Sequence, residues 1–259
     1  MTFTEILTSL VLISAPLTAV SVPHLYVGQK QMKAVAFDLG DTLVEYEGIP
    51  LSWEAYYRDA LENLAAFLQI TPDFHCLEEA CAVLRRYNTR LNPRTDEFPF
   101  STILDEILRL FRFSANVEEL ACAKAFFQIF RQRLRAFPEV PVALATLRQQ
   151  KIGIGVFTDV PYGMPRELVD EDIHETSLTE YIDTLVTSRC AGFRKPSPKT
   201  LEILAKKLSC DSSEMLYIGN EKKDIEVARE FGCHSILLDR AGRGIDWGQD
   251  RTIAALSEI

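Results

Sequence analysis

Five short apolar runs rich in β-branched residues recur along this 259-residue chain, and they constrain its fold more than any other feature. They cover residues 33–38, 152–158, 183–187, 215–219 and 234–239. Segments with helical periodicity precede the second, fourth and fifth runs, at 140–150, 197–208 and 222–231. Strands that alternate with helices are typical of βαβ units, so the sequence predicts an α/β fold built on a parallel sheet.

The alternation is interrupted between the first and second runs, where residues 48–138 show no strand signal. Helical patterns alone fill this interval, and they predict helices at 52–68, 77–90, 101–111 and 117–137. We therefore predict an all-helical insertion over 48–138, hinged near 46–50 and 138–140, in a core formed by 32–47 and 139–259. Residues 1–31 are predicted to be an N-terminal appendage with a short helix over 4–14.

Composition narrows the class of protein and its location. The net charge of −9 argues against sequence-independent binding of nucleic acid, which requires many cations. Residues 6–22 are mostly apolar, but no Lys or Arg precedes them and Pro16 interrupts them, so we expect neither a secretory signal nor a membrane anchor. The six cysteines lack paired spacing, which indicates reduced thiols and a cytoplasmic location.

Polar residues lie where the predicted strands end, which is where open α/β sheets bind their ligands. Asp38 directly follows the first run, and Thr158 ends the second. Lys195 precedes a helix that begins with proline, and Asp224 follows the fourth run after a tight turn. Together they supply a nucleophile, a hydroxyl donor, a fixed cation and a metal-binding oxygen, which are the parts that phosphoryl transfer requires.

In order and spacing, these four motifs resemble those of the haloacid dehalogenase-like (HAD) hydrolase superfamily, and the insertion is similar to the helical C1-type cap of some members. The resemblance covers residues 32–240. It implies a Rossmann-like three-layer core, a mobile cap and Mg²⁺ as cofactor. It also implies hydrolysis of a small phosphorylated metabolite through an aspartyl-phosphate intermediate.

The resemblance assigns expected roles to individual residues. Asp38 would be the nucleophile and a metal ligand. Thr158 would bind a phosphoryl oxygen, and Lys195 would stabilise both Asp38 and the transferring phosphoryl charge. The further metal ligands would be the backbone carbonyl of Gly40 and the side chains of Asp224, Asn220 and Glu221.

Gly40 departs from the family pattern, which has an aspartate there as general acid. A glycine keeps the backbone carbonyl but removes the proton donor, a contribution of about 10²–10⁴-fold in rate. Asp41 is the substitute acid that the sequence offers, although on an extended backbone its side chain would diverge from that of its neighbour. A leaving group of low pKa, such as that of an acyl phosphate, would need no acid.

Two alternative functions stay open. A 2-haloacid dehalogenase would also use aspartate attack and would also lack the second acid, but residues 219–224 resemble a metal-binding motif that dehalogenases do not carry. A non-catalytic scaffold that binds a phosphoryl ligand would not need all four polar motifs. The sequence leaves the oligomeric state undetermined.

The predicted insertion also carries a cluster of basic residues at Arg85, Arg86, Arg90 and Arg94. This cluster is consistent with a solvated helix face. It is also consistent with a basic wall that faces an anionic substrate.

Overall fold

The computed structural model of the protein describes residues 25–27, 30–50 and 52–259. Their strands are β1 (Tyr26–Val27), β2 (Lys30–Gln31), β3 (Ala34–Phe37), β4 (Val44–Tyr46), β5 (Leu134–Ala136), β6 (Gly153–Thr158), β7 (Thr184–Thr187), β8 (Met215–Gly219), β9 (His234–Leu238) and β10 (Arg251–Ile253). Their helices are α1 (Tyr57–Phe67), α2 (Phe74–Tyr87), α3 (Phe100–Leu110), α4 (Glu119–Phe127), α5 (Val140–Gln149), α6 (Arg166–Glu175), α7 (Ser188–Ala191), α8 (Lys199–Leu208) and α9 (Lys222–Phe231). The helix predicted over 4–14 lies outside the described residues.

A parallel sheet with the strand order β10–β9–β8–β3–β6–β7 forms the centre of the molecule. All five predicted strands belong to it, and β10 extends one edge. The four residues of β3 are fully buried because Val35 and Phe37 face one hydrophobic core while Ala34 and Ala36 face another. Helices α8 and α9 pack on the second face and α5 on the first, so the predicted three-layer α/β core is confirmed.

The insertion between β4 and β5 carries α1 to α4, close to where helices were predicted. Helix α1 packs against α4, and α2 packs against α3. Phe100, Phe126 and Phe127 lie at the centre of this bundle, with ring centroids 4.9–5.3 Å apart. These buried aromatic rings form the hydrophobic centre of the insertion, which is continuous with the hydrophobic core on one face of the sheet.

The predicted helix over 117–137 is wrong at its carboxyl end. Helix α4 ends at Phe127, one 3₁₀ turn follows over Gln128–Phe130, and the chain then forms strand β5. Strand β5 pairs antiparallel with β4, where the chain enters the insertion. Because this pairing joins residues about ninety positions apart, it satisfies backbone groups through a tertiary contact that no local pattern reveals.

Helix α6 was not predicted, because its sequence is mostly charged and only Leu168, Val169 and Ile173 supply buried apolar side chains. It packs beside the entrance to the insertion and contacts β5. None of the helices in the described ranges is long and apolar enough to cross a lipid bilayer.

Candidate active site

Asp38 lies at the carboxyl end of the central strand β3, between the ends of β6 and β8. Its backbone N–H donates to the carbonyl of Ile218 at 2.9 Å, which continues the sheet pairing as far as the site. The residue is only 8% exposed. Its carboxylate is therefore held in the sheet crevice where the sequence analysis expected a nucleophile.

Lys195 joins the carboxylates of two different motifs. Its ammonium Nζ is 2.6 Å from Asp38 Oδ1 and 2.6 Å from Asp224 Oδ1, and its side chain is fully buried. Nζ also donates to the hydroxyl of Tyr217 at 3.2 Å. A buried cation requires such pairing, because desolvation of an unpaired ammonium would cost several kcal/mol.

The electrostatics of this triad follow from burial and opposite charge. Although burial alone would lower it, the carboxylates of Asp224 and Asp38 raise the pKa of Lys195 well above its usual value. Burial raises the pKa of Asp38, and the negative charge of Asp224 adds to this, against the opposing charge of Lys195. The cluster thus holds more negative charge than one lysine neutralises.

Asp224 is fixed by the start of helix α9. Its Oδ2 accepts backbone N–H bonds from Asn220 at 3.1 Å and Glu221 at 2.9 Å. Gly219 makes this possible, because a Cβ atom there would overlap the Asp224 carboxyl group. The position of Asp224 therefore explains why the residue at the end of β8 is a glycine.

The side chain of Asp159, which directly follows Thr158, is only 4% exposed. Its Oδ1 accepts the backbone N–H of Lys195 at 3.1 Å, and its Oδ2 lies 3.1 Å from the ammonium of Lys223. Despite burial, the charges of Lys223, Arg194 and Lys195 hold the pKa of Asp159 far below its usual value. Thr158, directly before it, lines the same cleft as Asp38.

Gly40 and Asp41 form a turn rather than an extended strand end. The backbone N–H of Asp41 donates to the carbonyl of Val44 at 2.7 Å, and its φ is +57°, in the left-handed region. The backbone is therefore not extended at Asp41, as the sequence analysis had assumed, and Asp41 lines the cleft with Asp38. Burial raises the pKa of Asp41, with the carboxylates of Glu221 and Glu45 adding to the effect.

Asn220 and Glu221 already have protein partners. Asn220 Oδ1 accepts the hydroxyl of Thr42 at 3.2 Å. The carboxylate of Glu221 pairs with Arg90 at 2.5 Å and Lys223 at 3.0 Å. These cations outweigh burial and lower the pKa of Glu221 to about 2, so it is ionised but engaged in ion pairs.

The basic cluster of the insertion is largely neutralised within the protein. Arg85 lies 3.6 Å from Glu54, and Arg86 pairs with Glu106. Arg90 is the member that reaches the cleft, where it bonds Glu221 of the core. A continuous basic wall is therefore not formed by these side chains.

The cleft between insertion and core encloses about 180 Å³. From the insertion it is lined by Trp53, Tyr87, Asn88 and Arg90. Trp53 stacks on Phe130 with ring centroids 3.8 Å apart, which gives this wall a rigid aromatic surface. The cleft has room for a small molecule, and Asp38 is among the residues that line it.

The donors around Asp38 are of the kind that a small hard cation prefers. The described part of the chain contains no group of three or more His, Cys, Asp or Glu side chains able to hold a metal. Two carboxylates with backbone and amide oxygens nevertheless fit Mg²⁺, which typically binds through one or two carboxylates and keeps places for water and phosphate. Asp224 Oδ1 accepts a hydrogen bond from Lys195 and keeps a second lone pair with which it could bind the cation.

The family model described as haloacid dehalogenase-like hydrolase matches residues 82–238. The chain belongs to this family of hydrolases, and the resemblance to the superfamily is confirmed. The matched range includes Thr158, Lys195 and Asp224, while Asp38 lies before it.

Curated relatives cover more of the chain. The phosphoglycolate phosphatase of Yersinia pestis is 25% identical over 223 residues, which are 81% of this chain and 82% of the relative. That of Shigella boydii serotype 4 (strain Sb227) is 24% identical over 242 residues, which are 86% and 89% of the two chains.

Solved structures with the same fold include both phosphatases and dehalogenases. A 2-haloacid dehalogenase from Pseudomonas syringae pv. Tomato DC3000 has a TM-score of 0.62 at 23% identity, covering 88% of this chain and 96% of its own. A HAD phosphatase from Thermococcus onnurineus has a TM-score of 0.59 at 21% identity, covering 88% and 95%. The likeness extends to the fold and does not separate the two chemistries.

Proposed function

We propose that this chain is a Mg²⁺-dependent phosphohydrolase that acts on small phosphorylated metabolites through an aspartyl-phosphate on Asp38. The observation that carries the proposal is the buried Lys195 ammonium, 2.6 Å from the carboxylates of both Asp38 and Asp224. A cation fixed between a nucleophile and a second carboxylate stabilises charge that develops on a transferred phosphoryl group. The curated relatives, which are phosphatases, support the same reaction class.

In the first step, Asp38 attacks phosphorus. Its Oδ1 accepts a hydrogen bond from Lys195, which leaves Oδ2 to form the new O–P bond while the bond from phosphorus to the leaving oxygen breaks. Thr158 would donate its hydroxyl to a phosphoryl oxygen from the end of β6. Water then attacks phosphorus of the acyl phosphate, which releases inorganic phosphate and restores the Asp38 carboxylate.

Mg²⁺ would be held by Asp38, Asp224, the Gly40 carbonyl and Asn220 Oδ1. When bound, it would supply positive charge against the phosphoryl oxygens. Glu221 is a weaker candidate ligand because Arg90 and Lys223 occupy its carboxylate.

We propose that Asp41 protonates the leaving oxygen in place of the acid missing at Gly40. The raised pKa of Asp41 suits this role, because burial and neighbouring carboxylates favour the protonated form that a general acid needs. The left-handed turn at Asp41 and its position in the lining of the cleft support this role.

The test uses the purified chain, an activated aryl phosphate and acetyl phosphate, with and without Mg²⁺. We expect Mg²⁺-dependent release of phosphate that Asp38→Asn abolishes. Halide release from a 2-haloacid without metal would replace the proposal with the dehalogenase alternative, which Gly40 favours. Phosphate binding without turnover of either substrate class would indicate a scaffold. We place the reaction in the cytoplasm, with no membrane or nucleic-acid partner.

A further inference from the structure

Residues 94–98 of the insertion form hydrogen bonds with the core loop that carries Lys195. The backbone N–H of Arg194 donates to the carbonyl of Thr95 at 2.7 Å. The backbone N–H of Glu97 donates to the carbonyl of Gly192 at 3.2 Å. The chain enters and leaves the insertion through the paired strands β4 and β5, which are far from residues 94–98 in sequence. The contact at 94–98 is therefore a second attachment of the insertion to the core.

The side chain of Glu97 is the buried centre of this contact. It is only 1% exposed, and its Oε2 accepts hydrogen bonds from Ser188 Oγ and Arg194 Nη1. Arg94 Nη2 lies 3.8 Å from its other oxygen. A carboxylate this buried is costly unless it is paired and hydrogen-bonded, so these partners hold it in one place.

Both hydrogen-bond partners of Glu97, Ser188 and Arg194, also bond the backbone of Val160. Ser188 Oγ accepts the N–H of Val160 at 2.9 Å. Arg194 Nη1 donates to the carbonyl of the same residue at 2.7 Å. Val160 lies two residues beyond Thr158. Its backbone N–H and carbonyl are thus both fixed by side chains that Glu97 orients.

The same network reaches Lys195. Arg194, which bonds Glu97, directly precedes it in the chain. Asp159, which directly precedes Val160, accepts the backbone N–H of Lys195 at 3.1 Å. One carboxylate from the insertion therefore sets the relative position of the two loops that carry Thr158 and Lys195.

We propose that Glu97 is a positioning residue for the phosphoryl site, through which the insertion assembles the two core loops. The inference rests on the proposed function, since it assumes that Thr158 and Lys195 bind the phosphoryl group. It gives the insertion a role in the chemical step besides forming the wall of the cleft. The role belongs to a residue that does not itself line the cleft.

The test compares Glu97→Gln with Glu119→Gln. Glu119 also joins insertion and core, through two bonds of 2.7 and 3.0 Å to Arg189, which in turn donates to the carbonyl of Gly163, five residues beyond Thr158. Unlike Glu97, it has no link to Arg194 or to the loop of Lys195. If Glu97 positions these loops, Glu97→Gln lowers kcat by about 10–100-fold, the range expected for misplacement of reacting groups. The loss should be equal for aryl and alkyl phosphates, while Glu119→Gln stays near the wild-type rate.

A second readout is binding of inorganic phosphate, measured as the shift in Tm at saturating phosphate. We expect the shift to shrink in Glu97→Gln and to persist in Glu119→Gln. Equal effects of both variants would show that Glu97 only fastens the insertion, and would overturn the proposal. Unchanged kcat and unchanged phosphate binding in Glu97→Gln would overturn it as well.

Ser188→Ala removes one link of the same network with a smaller change, and it replaces Glu97→Gln if that variant does not fold. It should lower kcat and phosphate binding in the same direction, and wild-type values would contradict the proposal. If the wild-type chain binds phosphate but hydrolyses no phosphate ester, the proposed function fails while the Tm shifts still test Glu97. A wild-type chain that neither hydrolyses nor binds phosphate would overturn both.

Discussion

Introducing the missing acid at Gly40 is the sharpest test of how the leaving group is protonated. A Cβ atom added at Gly40 meets only the edge of Tyr46, with Cε2 at 4.0 Å, an ordinary van der Waals contact. The φ of Gly40 is not in the left-handed region, so an aspartate is not strained there. Gly40→Asp is therefore expected to fold, with its carboxyl group beside Asp38.

The size of the effect follows from general acid catalysis. A well-placed acid contributes about 10²–10⁴-fold, or about 2.7–5.4 kcal/mol of barrier. The nearby carboxylates of Asp38 and Asp41 would keep the new group protonated by raising its pKa. Because Asp41 already lines the cleft, we expect the lower end, an increase in kcat/KM of about 100-fold for an alkyl phosphate.

The assay compares leaving groups in three proteins. Gly40→Asp should accelerate hydrolysis of an alkyl phosphate and change that of acetyl phosphate by less than about two-fold, because acetate leaves readily without a proton. Asp41→Asn in the wild-type background should slow the alkyl phosphate selectively. An equal gain on both substrates would refute acid catalysis as the reason, and an unchanged rate in Asp41→Asn would refute the role of Asp41.

Three further predictions concern stability. Lys195→Met leaves two buried carboxylates without their cation. It should lower the free energy of unfolding by about 3–5 kcal/mol, measured by urea denaturation at neutral pH. Burial raises the pKa of Asp38 and the charge of Lys195 opposes this, so removing Lys195 raises that pKa further and the folded variant takes up a proton as the pH falls. The loss should therefore be smaller near pH 5, and a loss independent of pH would contradict this sign. Mg²⁺ at about ten times its Kd should stabilise the wild type by about 1.4 kcal/mol, and Asp224→Asn should remove that gain in a thermal melt. Gly163→Ala should lower the free energy of unfolding by more than about 2 kcal/mol, because φ is +62° there and the new Cβ would overlap the backbone of the insertion. Gly192→Ala should lower it by about 1 kcal/mol, because φ is +74° but the space around it is open. Equal losses in the two variants would show that the overlap at Gly163 is relieved.

The sequence predicted the parts of the fold that local patterns encode. Strand β3 is buried on both faces, so its continuous apolar run and the acid after it were sufficient to identify the sheet edge that carries Asp38. The amphipathic segments of α8 and α9 likewise gave those helices, because each has one face on the sheet.

Features fixed by tertiary contacts left little trace in the sequence. Strand β5 is three residues long and pairs only because the chain returns beside β4. The left-handed conformation of Asp41 has no glycine at that position to signal it, so the sequence analysis assumed an extended backbone there. Glu97 lies in a loop between two prolines, and its burial depends on Ser188 and Arg194, which are about ninety residues further on. A carboxylate in a polar loop otherwise resembles a solvated one.

The contacts of the insertion limit how the cleft can open. Rotation of the whole insertion about β4 and β5 would break the buried contacts of Glu97, and separating a buried charge from its partners costs about 3–5 kcal/mol. Displacement of α1 and α2 alone would keep Glu97 in place but would separate α1 from α4 and α2 from α3, whose packing forms the hydrophobic centre of the insertion. Both routes therefore cost buried contacts, and the loops of Thr158 and Lys195 stay assembled as long as Glu97 keeps its partners.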